Sequence, residues 1–402
     1  MQKLTILGST GSIGVNTLDV VDRLRDRFEV FALVAGRNVE LLAQQIVKFN
    51  PKVAVVETEA VRASLTRVLD DQGLGRALWP QLEYGSAWRA AVAAAPEVDF
   101  VMSAIVGVAG LGATYEAARR GKRIGLANKE TLVAGGGLVM QAAREAGAEI
   151  IPVDSEHNGA HQCLRAGRRK EVSRLILTAS GGPFRQTPKE QLASVTPEQA
   201  LNHPTWKMGK RITVDSATLM NKGFEVIEAC WLFDFAPEEV EVVVHPQSSV
   251  HALVEYSDGS IVAQISTTDM RMPIQYALTY PERLDAPVPR MDWSAQRVME
   301  FHPPDFEKFP LLRLAYQAQK AGGTATCTLN AADEVAVEAF LGGEIGFTAI
   351  AEVVEETLNR MPPETPGSVS DLMEIDRRSR GIASQVATEI ARHQKSPQTI
   401  KA

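Results

Sequence analysis

Gly8-Ser9-Thr10-Gly11-Ser12-Ile13-Gly14 follows Leu4-Thr5-Ile6-Leu7, a short apolar run that reads as a buried strand, and precedes Val15 to Leu24, which reads as a helix. Glycines at 8, 11 and 14 take side chains out of the turn, so backbone N–H groups and the helix N-terminus can approach a pyrophosphate. The spacing is G-x-x-G-x-x-G, a variant of the more familiar dinucleotide fingerprint. Its place between a strand and a helix predicts a dinucleotide site. Outward from it the same grammar repeats: a strand at 29–34, a helix at 39–49, a strand at 53–56, the run Phe100-Val101-Met102, a helix near 111–120, a strand at 124–127, an Ala-rich helix at 132–146 and a strand at 149–153. Strands separated by helices of this length imply right-handed crossovers. Residues 1–150 are therefore expected to form an α/β doubly wound, mainly parallel sheet that binds the cofactor.

A chain of 402 residues exceeds one ordinary core and implies two or three domains. A hydrophobic fraction of 45% and a charged fraction of 23% belong to a soluble globular protein, and the net charge of -7 argues against a nucleic-acid binder. Cys163, Cys230 and Cys327 are too few and scattered for a disulfide scaffold, and read as small apolar residues in a reducing compartment. No apolar run approaches the ~20 residues that cross a bilayer. Met1 leads almost directly into the first strand, leaving no room for a targeting segment, so a cytoplasmic protein without membrane contact is expected.

Past residue 150 the pattern changes to α+β. Segments 171–179 and 241–265 read as strands, with a hairpin turn at Ser257-Asp258-Gly259 and a helix from near Asn221 to Phe233. Five prolines make 281–305 an irregular linker, and helical periodicity at 309–321, 331–341, 348–361 and 371–391, the last capped by Ser370, gives a terminal helical bundle. The expected organisation is 1–150 for dinucleotide binding, 151–280 as an α+β domain, 281–305 as linker, and 306–402 as the C-terminal helical domain.

The second strand bears on cofactor choice. Where an NAD site places an acid for the ribose hydroxyls, this chain has Ala35-Gly36-Arg37-Asn38. Arg37 can pair bidentately with a 2′-phosphate, no nearby carboxylate in the sequence opposes it, and NADPH is expected over NADH. Asp154-Ser155-Glu156 stands where the last strand of the first domain runs out. In extended backbone, positions i and i+2 project to one side, so both carboxylates can approach one ion, with Glu225 as a third acid. Such a donor set favours Mg²⁺ or Mn²⁺ over zinc; the alternative is that Asp154 and Glu156 are ordinary loop acids. His157 and His161 read as packing or surface residues. Thr178 to Pro183 suits an anion nest, and Asp215 to Thr218 with Asn221 and Lys222 offers donors to a terminal phosphate. Pro204 to Lys210 reads as a water-excluding lid.

Taken together, these segments resemble the 1-deoxy-D-xylulose 5-phosphate reductoisomerase family over essentially the whole chain. The resemblance rests on the glycine turn, Leu126-Ala127-Asn128-Lys129-Glu130, Pro152-Val153-Asp154-Ser155-Glu156-His157, Thr178-Ala179-Ser180-Gly181-Gly182-Pro183-Phe184, His203-Pro204-Thr205-Trp206-Lys207-Met208-Gly209, and Val214 to Glu225. It implies a homodimer that uses NADPH and Mg²⁺, Mn²⁺ or Co²⁺ and ends in a four-helix domain. The implied reaction rearranges and reduces a pentulose phosphate to 2-C-methyl-D-erythritol 4-phosphate in non-mevalonate isoprenoid biosynthesis. It also implies Asp154, Glu156 and Glu225 as metal ligands, and Lys129 beside the reacting centre. Ser155, Ser180, His203, Trp206, Met208, Ser216, Asn221 and Lys222 would contact substrate. Gly8, Ser9, Thr10, Gly11, Ser12, Ile13, Gly36, Arg37, Asn38, Asn128, Glu130 and Gly209 would contact the cofactor. The rival readings are another NADPH-dependent dehydrogenase with a separate substrate domain, which does not require the acidic trio, and a nucleotide-sensing or structural protein that kept the fold without chemistry.

Overall fold

Short apolar strands, covered by helices on both faces, build the first part of the chain. The computed structural model describes residues 1–73, 75–204, 206 and 209–395. Its contacts divide into two units, the first comprising Met1–Leu132, Gly136–His161 and Asp269–Asp292, and the second Val133–Gly135, Gln162–Thr268 and the chain from Trp293 onward. In the first unit, β1 (Gln2–Leu7), β2 (Phe28–Val34), β3 (Val53–Val56), β4 (Gln81–Tyr84), β5 (Phe100–Ser103), β6 (Arg123–Leu126) and β7 (Ile150–Pro152) lie in the order β4-β3-β2-β1-β5-β6-β7. Every pairing is parallel. The intervening helices are α1 (Ser12–Arg23), α2 (Val39–Phe49), α3 (Glu59–Asp71), α4 (Gly85–Ala94), α5 (Leu111–Arg119) and α6 (Glu130–Ala146), with α7 (Ser155–Leu164) after β7. The doubly wound reading is borne out. Since β1 pairs with β2 on one side and β5 on the other, the strand order reverses beside the glycine turn, where such sheets bind ligands.

In the second unit, β8 (Val172–Ala179), β9 (Val240–Val244), β10 (Val250–Tyr256) and β11 (Ile261–Ile265) form a mixed sheet in the order β11-β10-β8-β9. The turn between β10 and β11 falls at 257–260, where Asp258 Oδ1 accepts from Ser260 N at 2.9 Å. Helices α8 (Pro197–Ala200), α9 (Lys210–Ala217) and α10 (Met220–Phe233) follow β8.

The chain then returns to the first unit through α11 (Arg271–Thr279). Ile274 and Leu278 join Leu18, Val21, Phe100 and Ile151 in its core, where burying each large apolar side chain is worth about 1.5–3 kcal/mol. Arg271 reaches Asp19 of α1 at 3.2 Å, and Arg27 reaches Glu282 at 2.8 Å. Residues 269–292 thus belong with the nucleotide-binding sheet by packing, although their sequence pattern placed them partly in the α+β segment and partly in the linker. No helix or strand lies between α11 and α12 (Pro310–Ala321) among the described residues, apart from a bridge between His302 and Val244. Helices α13 (Ala325–Leu341), α14 (Ala349–Arg360) and α15 (Val369–Lys395) complete the second unit. Gly223 lets α10 close on α12, because a Cβ there would lie 2.6 Å from that of Ala315. Two details differ from expectation. Helix α13 begins six residues earlier than its periodicity indicates, and Ser368 rather than Ser370 meets the first turn of α15, accepting from Asp371 N at 3.1 Å.

Helix α9 is fastened to the terminal helices by a partly buried ionic cluster. Arg211 bonds Asn330 Oδ1 at 3.0 Å and Glu334, and pairs with Asp333 at 3.4 Å and Asp215 at 3.6 Å. Arg380 joins Glu334 at 2.5 Å and Asp376 at 2.6 Å. These four carboxylates outnumber the two guanidiniums. Burial pushes the Asp333 carboxyl up to about 6, against the opposing pull of Arg211. The folded state therefore holds this proton more tightly than the unfolded chain, and the stability it contributes is lost as pH rises from about 4 to about 6. Replacing Asp333→Asn should shift the stability difference in the variant's favour as pH rises from about 4.5 to about 7, measured by thermal unfolding. A difference independent of pH would contradict the assignment.

Candidate active site

In the first unit the glycine turn is shaped by contact. Gly8 has φ +90°, and a Cβ on it would lie 2.5 Å from the Ala104 carbonyl oxygen. A Cβ on Gly14 would lie 2.3 Å from Gly8 O and 2.5 Å from Ser9 Cα, so helix and strand can meet this closely only through glycine. Gly8 N and Ser9 N both donate to Val34 O, at 2.9 and 2.8 Å, and Gln45 Nε2 donates to Ser9 O at 2.8 Å. No side chain caps α1, which leaves the N–H groups of its first turn for an anion. The residues present fit a dinucleotide pyrophosphate.

Beyond β2, Asn38 caps α2 by accepting from Leu41 N at 3.2 Å. Arg37 does have an opposing carboxylate, contrary to the sequence reading: its Nε donates to Glu57 Oε2 at 2.7 Å. Glu57 is twenty residues distant and comes alongside only because β2 and β3 are neighbours. Beyond β6, buried Asn128 accepts from Thr131 N and Oγ1, each at 2.8 Å, and donates to Gly107 O at 2.9 Å. Glu130 opens α6. The buried Lys129 ammonium lies 2.5 Å from Asp154 Oδ2.

The geometry behind the Asp154/Glu156 pair also differs from expectation. Asp154 ends the extended segment, but its carbonyl accepts from Asn158 N at 2.7 Å and starts α7. Glu156 therefore stands in a helical first turn, where Ser155 Oγ donates to Glu156 Oε2 at 2.5 Å. The two-residue alternation of a strand does not relate these acids. His161 packs against Tyr276 and Tyr280, with Nδ1 2.8 Å from the Tyr276 hydroxyl.

In the second unit, Ser180, His203 and Ser216 converge. His203 Nε2 lies 3.0 Å from Ser180 Oγ and 3.1 Å from Ser216 Oγ, while its Nδ1 accepts from Trp206 N at 2.9 Å. A neutral imidazole that accepts at Nδ1 carries its proton on Nε2, so His203 presents a donor to the two hydroxyls. The turn holding Ser180 packs tightly on the end of α9: a Cβ on Gly182 would lie 2.6 Å from Ser216 O. Gly209 precedes α9 and its carbonyl accepts from Thr213 N at 3.1 Å. In α10, Asn221 Nδ2 donates to Glu225 Oε1 at 2.6 Å, and the Lys222 ammonium pairs with the same carboxylate. Lys222 and Glu225 are 3% and 1% exposed, so each offsets the other's buried charge. Met208 lies outside the described residues.

Three family models match this chain: 1-deoxy-D-xylulose 5-phosphate reductoisomerase over residues 4–136, its C-terminal domain over 150–233, and a further DXP reductoisomerase C-terminal domain over 265–382. The chain belongs to the 1-deoxy-D-xylulose 5-phosphate reductoisomerase family. A reductoisomerase of Solibacter usitatus is 68% identical over 387 residues, covering 96% of this chain and 98% of the relative. One from Pseudomonas aeruginosa is 49% identical over 97% of this chain and 99% of its own length. Among solved reductoisomerases, that of Zymomonas mobilis in complex with NADPH is 45% identical with a TM-score of 0.89, over 96% of this chain and 99% of that one. Another, in complex with NADPH, fosmidomycin and magnesium, is 39% identical with a TM-score of 0.90, over 96% and 98%.

Neither Glu57 nor the Lys222–Glu225 pair stands out in the sequence as an interaction. The first needs the strand order; the second has only an i, i+3 spacing to announce it. Burial lowers the pKa of His203. Nitrogen NMR of the protein without ligand should find His203 as the Nε2–H tautomer, titrating below the ordinary histidine value of about 6.5. A midpoint above that value, or the other tautomer, would overturn this geometry.

Proposed function

We propose that this chain converts 1-deoxy-D-xylulose 5-phosphate to 2-C-methyl-D-erythritol 4-phosphate, using NADPH and a divalent cation, in non-mevalonate isoprenoid biosynthesis. The reading is carried by chain-long identity to curated reductoisomerases, reaching 68%. The first unit takes the dinucleotide pyrophosphate at Gly8 to Ile13 and the 2′-phosphate at Arg37, with Gly36, Asn38, Asn128 and Glu130 completing the cofactor's surroundings there; Gly209, of the second unit, is assigned to the cofactor as well. Asp154, Glu156 and Glu225 are the cation's ligands; an all-carboxylate set is the chemistry of Mg²⁺ or Mn²⁺. When bound, the cation supplies Lewis acidity to the ketose oxygens and NADPH supplies the hydride.

The protein's own groups do the rest. Ser180, Ser216, Asn221 and Lys222 hold the phosphate, far from the bonds that change, and that binding energy serves to position the sugar. His203 donates from Nε2, and Trp206 excludes water over the carbon chain. Ser155 orients the substrate. Lys129, held beside Asp154, presents a fixed positive charge toward negative charge developing on the substrate.

We further propose a homodimer. Edge strand β11 exposes Ile261, Ala263 and Ile265 in one alternating row on one face of the sheet, an apolar surface that a second copy would cover. No described helix is long and apolar enough to cross a membrane. All three cysteines are free and buried, which suits work in the reducing cytoplasm.

The deciding experiment follows NADPH oxidation with the pentulose phosphate, with and without EDTA, and identifies the product. Turnover that needs the cation and yields the branched polyol phosphate is expected. Glu225→Gln should keep NADPH affinity and lose about a hundredfold or more in kcat; near-normal turnover would contradict the ligand assignment. Ala263→Lys should give a monomer by light scattering where the native chain is a dimer, and a persisting dimer would move the interface elsewhere.

A further inference from the structure

At the C-terminal ends of β2 and β3 the chain ties two loops together before any side chain is considered. Val34 is in register with Val55, Ala35 N donates to Val55 O at 2.9 Å, and Glu57 N donates to Gly36 O at 3.5 Å. Arg37 and Glu57 thus leave the sheet side by side, and Asn38 at once fixes the start of α2. The Arg37 side chain is 82% exposed, and it meets Glu57 through Nε. Among the described residues its two terminal nitrogens make no hydrogen bond. Those nitrogens are the fork that grips a phosphate bidentately. Arg37 foremost, with Arg89 of α4 contributing, holds the Glu57 carboxyl below the usual carboxylate range, so the acid stays ionised at neutral pH. An NAD site uses an acid at the end of the second strand to accept ribose hydroxyls. Here the acid stands one strand further out, engaged with an arginine.

We propose that Glu57 is a positioning residue for cofactor choice, holding Arg37 by Nε so that its terminal fork faces the 2′-phosphate of NADPH. The proposal rests on the NADPH reading above. A free arginine loses rotamer freedom when it closes on a ligand, and a partner that sets the rotamer beforehand removes part of that loss. Repulsion between Glu57 and the phosphate is moderated by the intervening guanidinium and by solvent.

The test measures KM and kcat with NADPH and with NADH for the native chain, Arg37→Ala, Glu57→Ala and Glu57→Gln. Arg37→Ala should raise KM for NADPH far more than for NADH. Glu57→Ala should raise KM for NADPH about three- to tenfold, with the change absent from NADH and from kcat. Glu57→Gln keeps an oxygen that accepts from Nε and should recover most of the loss. If Arg37→Ala behaves as expected but Glu57→Ala leaves KM for NADPH unchanged or lower, the positioning role falls and the cofactor reading stands. Equal effects of Arg37→Ala on both cofactors would remove both.

Discussion

The carbonyl oxygen of Gly8 occupies the space that a side chain at position 14 would need. This close meeting of β1 and α1 sets the entry to the nucleotide site and brings the uncapped helix end over the sheet. From β1 the sheet grows in both directions, so the loops after β1 and β5 part beside the turn and leave a crevice. A single methyl group at either glycine would separate the strand from the helix or from Ala104. The rest of the first unit is regular enough to follow from that contact.

Each unit sets one acid against a lysine ammonium. Lys129 stands against Asp154 in one, and Lys222 against Glu225 in the other. A carboxylate taken out of water without a partner would bind a proton instead. An ammonium beside the acid offsets that cost. The His203 tautomer follows similar logic, because the Trp206 backbone fixes which ring nitrogen offers the proton.

Much of the architecture was legible in the sequence. Helix α2 and strand β3 fall at the ends their patterns indicate, since an amphipathic period and a short apolar run leave little choice there. By contrast, α3, β4 and α4 escaped notice: β4 is only partly buried, and α4 is rich in alanine, so neither shows a sharp apolar period. At the site, residue types were readable and geometry was not. The spacing of Asp154 and Glu156 suits a strand, yet Asn158 bonds back to Asp154 and turns the segment into a helix. Glu57 could be found only by knowing which strand lies beside β2. Tertiary proximity of this kind leaves no periodic trace.

The late return of α11 to the first unit bears on how the protein emerges during synthesis. The sheet and its first seven helices are complete in sequence by Leu164, but Ile274 and Leu278, which finish that core, follow about a hundred residues later. At roughly 5–20 residues per second a ribosome needs on the order of ten seconds to supply them. Through that interval the apolar side of α1 waits for its cover. A fragment ending after α7 would carry every strand of the nucleotide-binding sheet and still lack its closing piece, so this half of the molecule is discontinuous in the chain and cannot mature strictly from N-terminus to C-terminus.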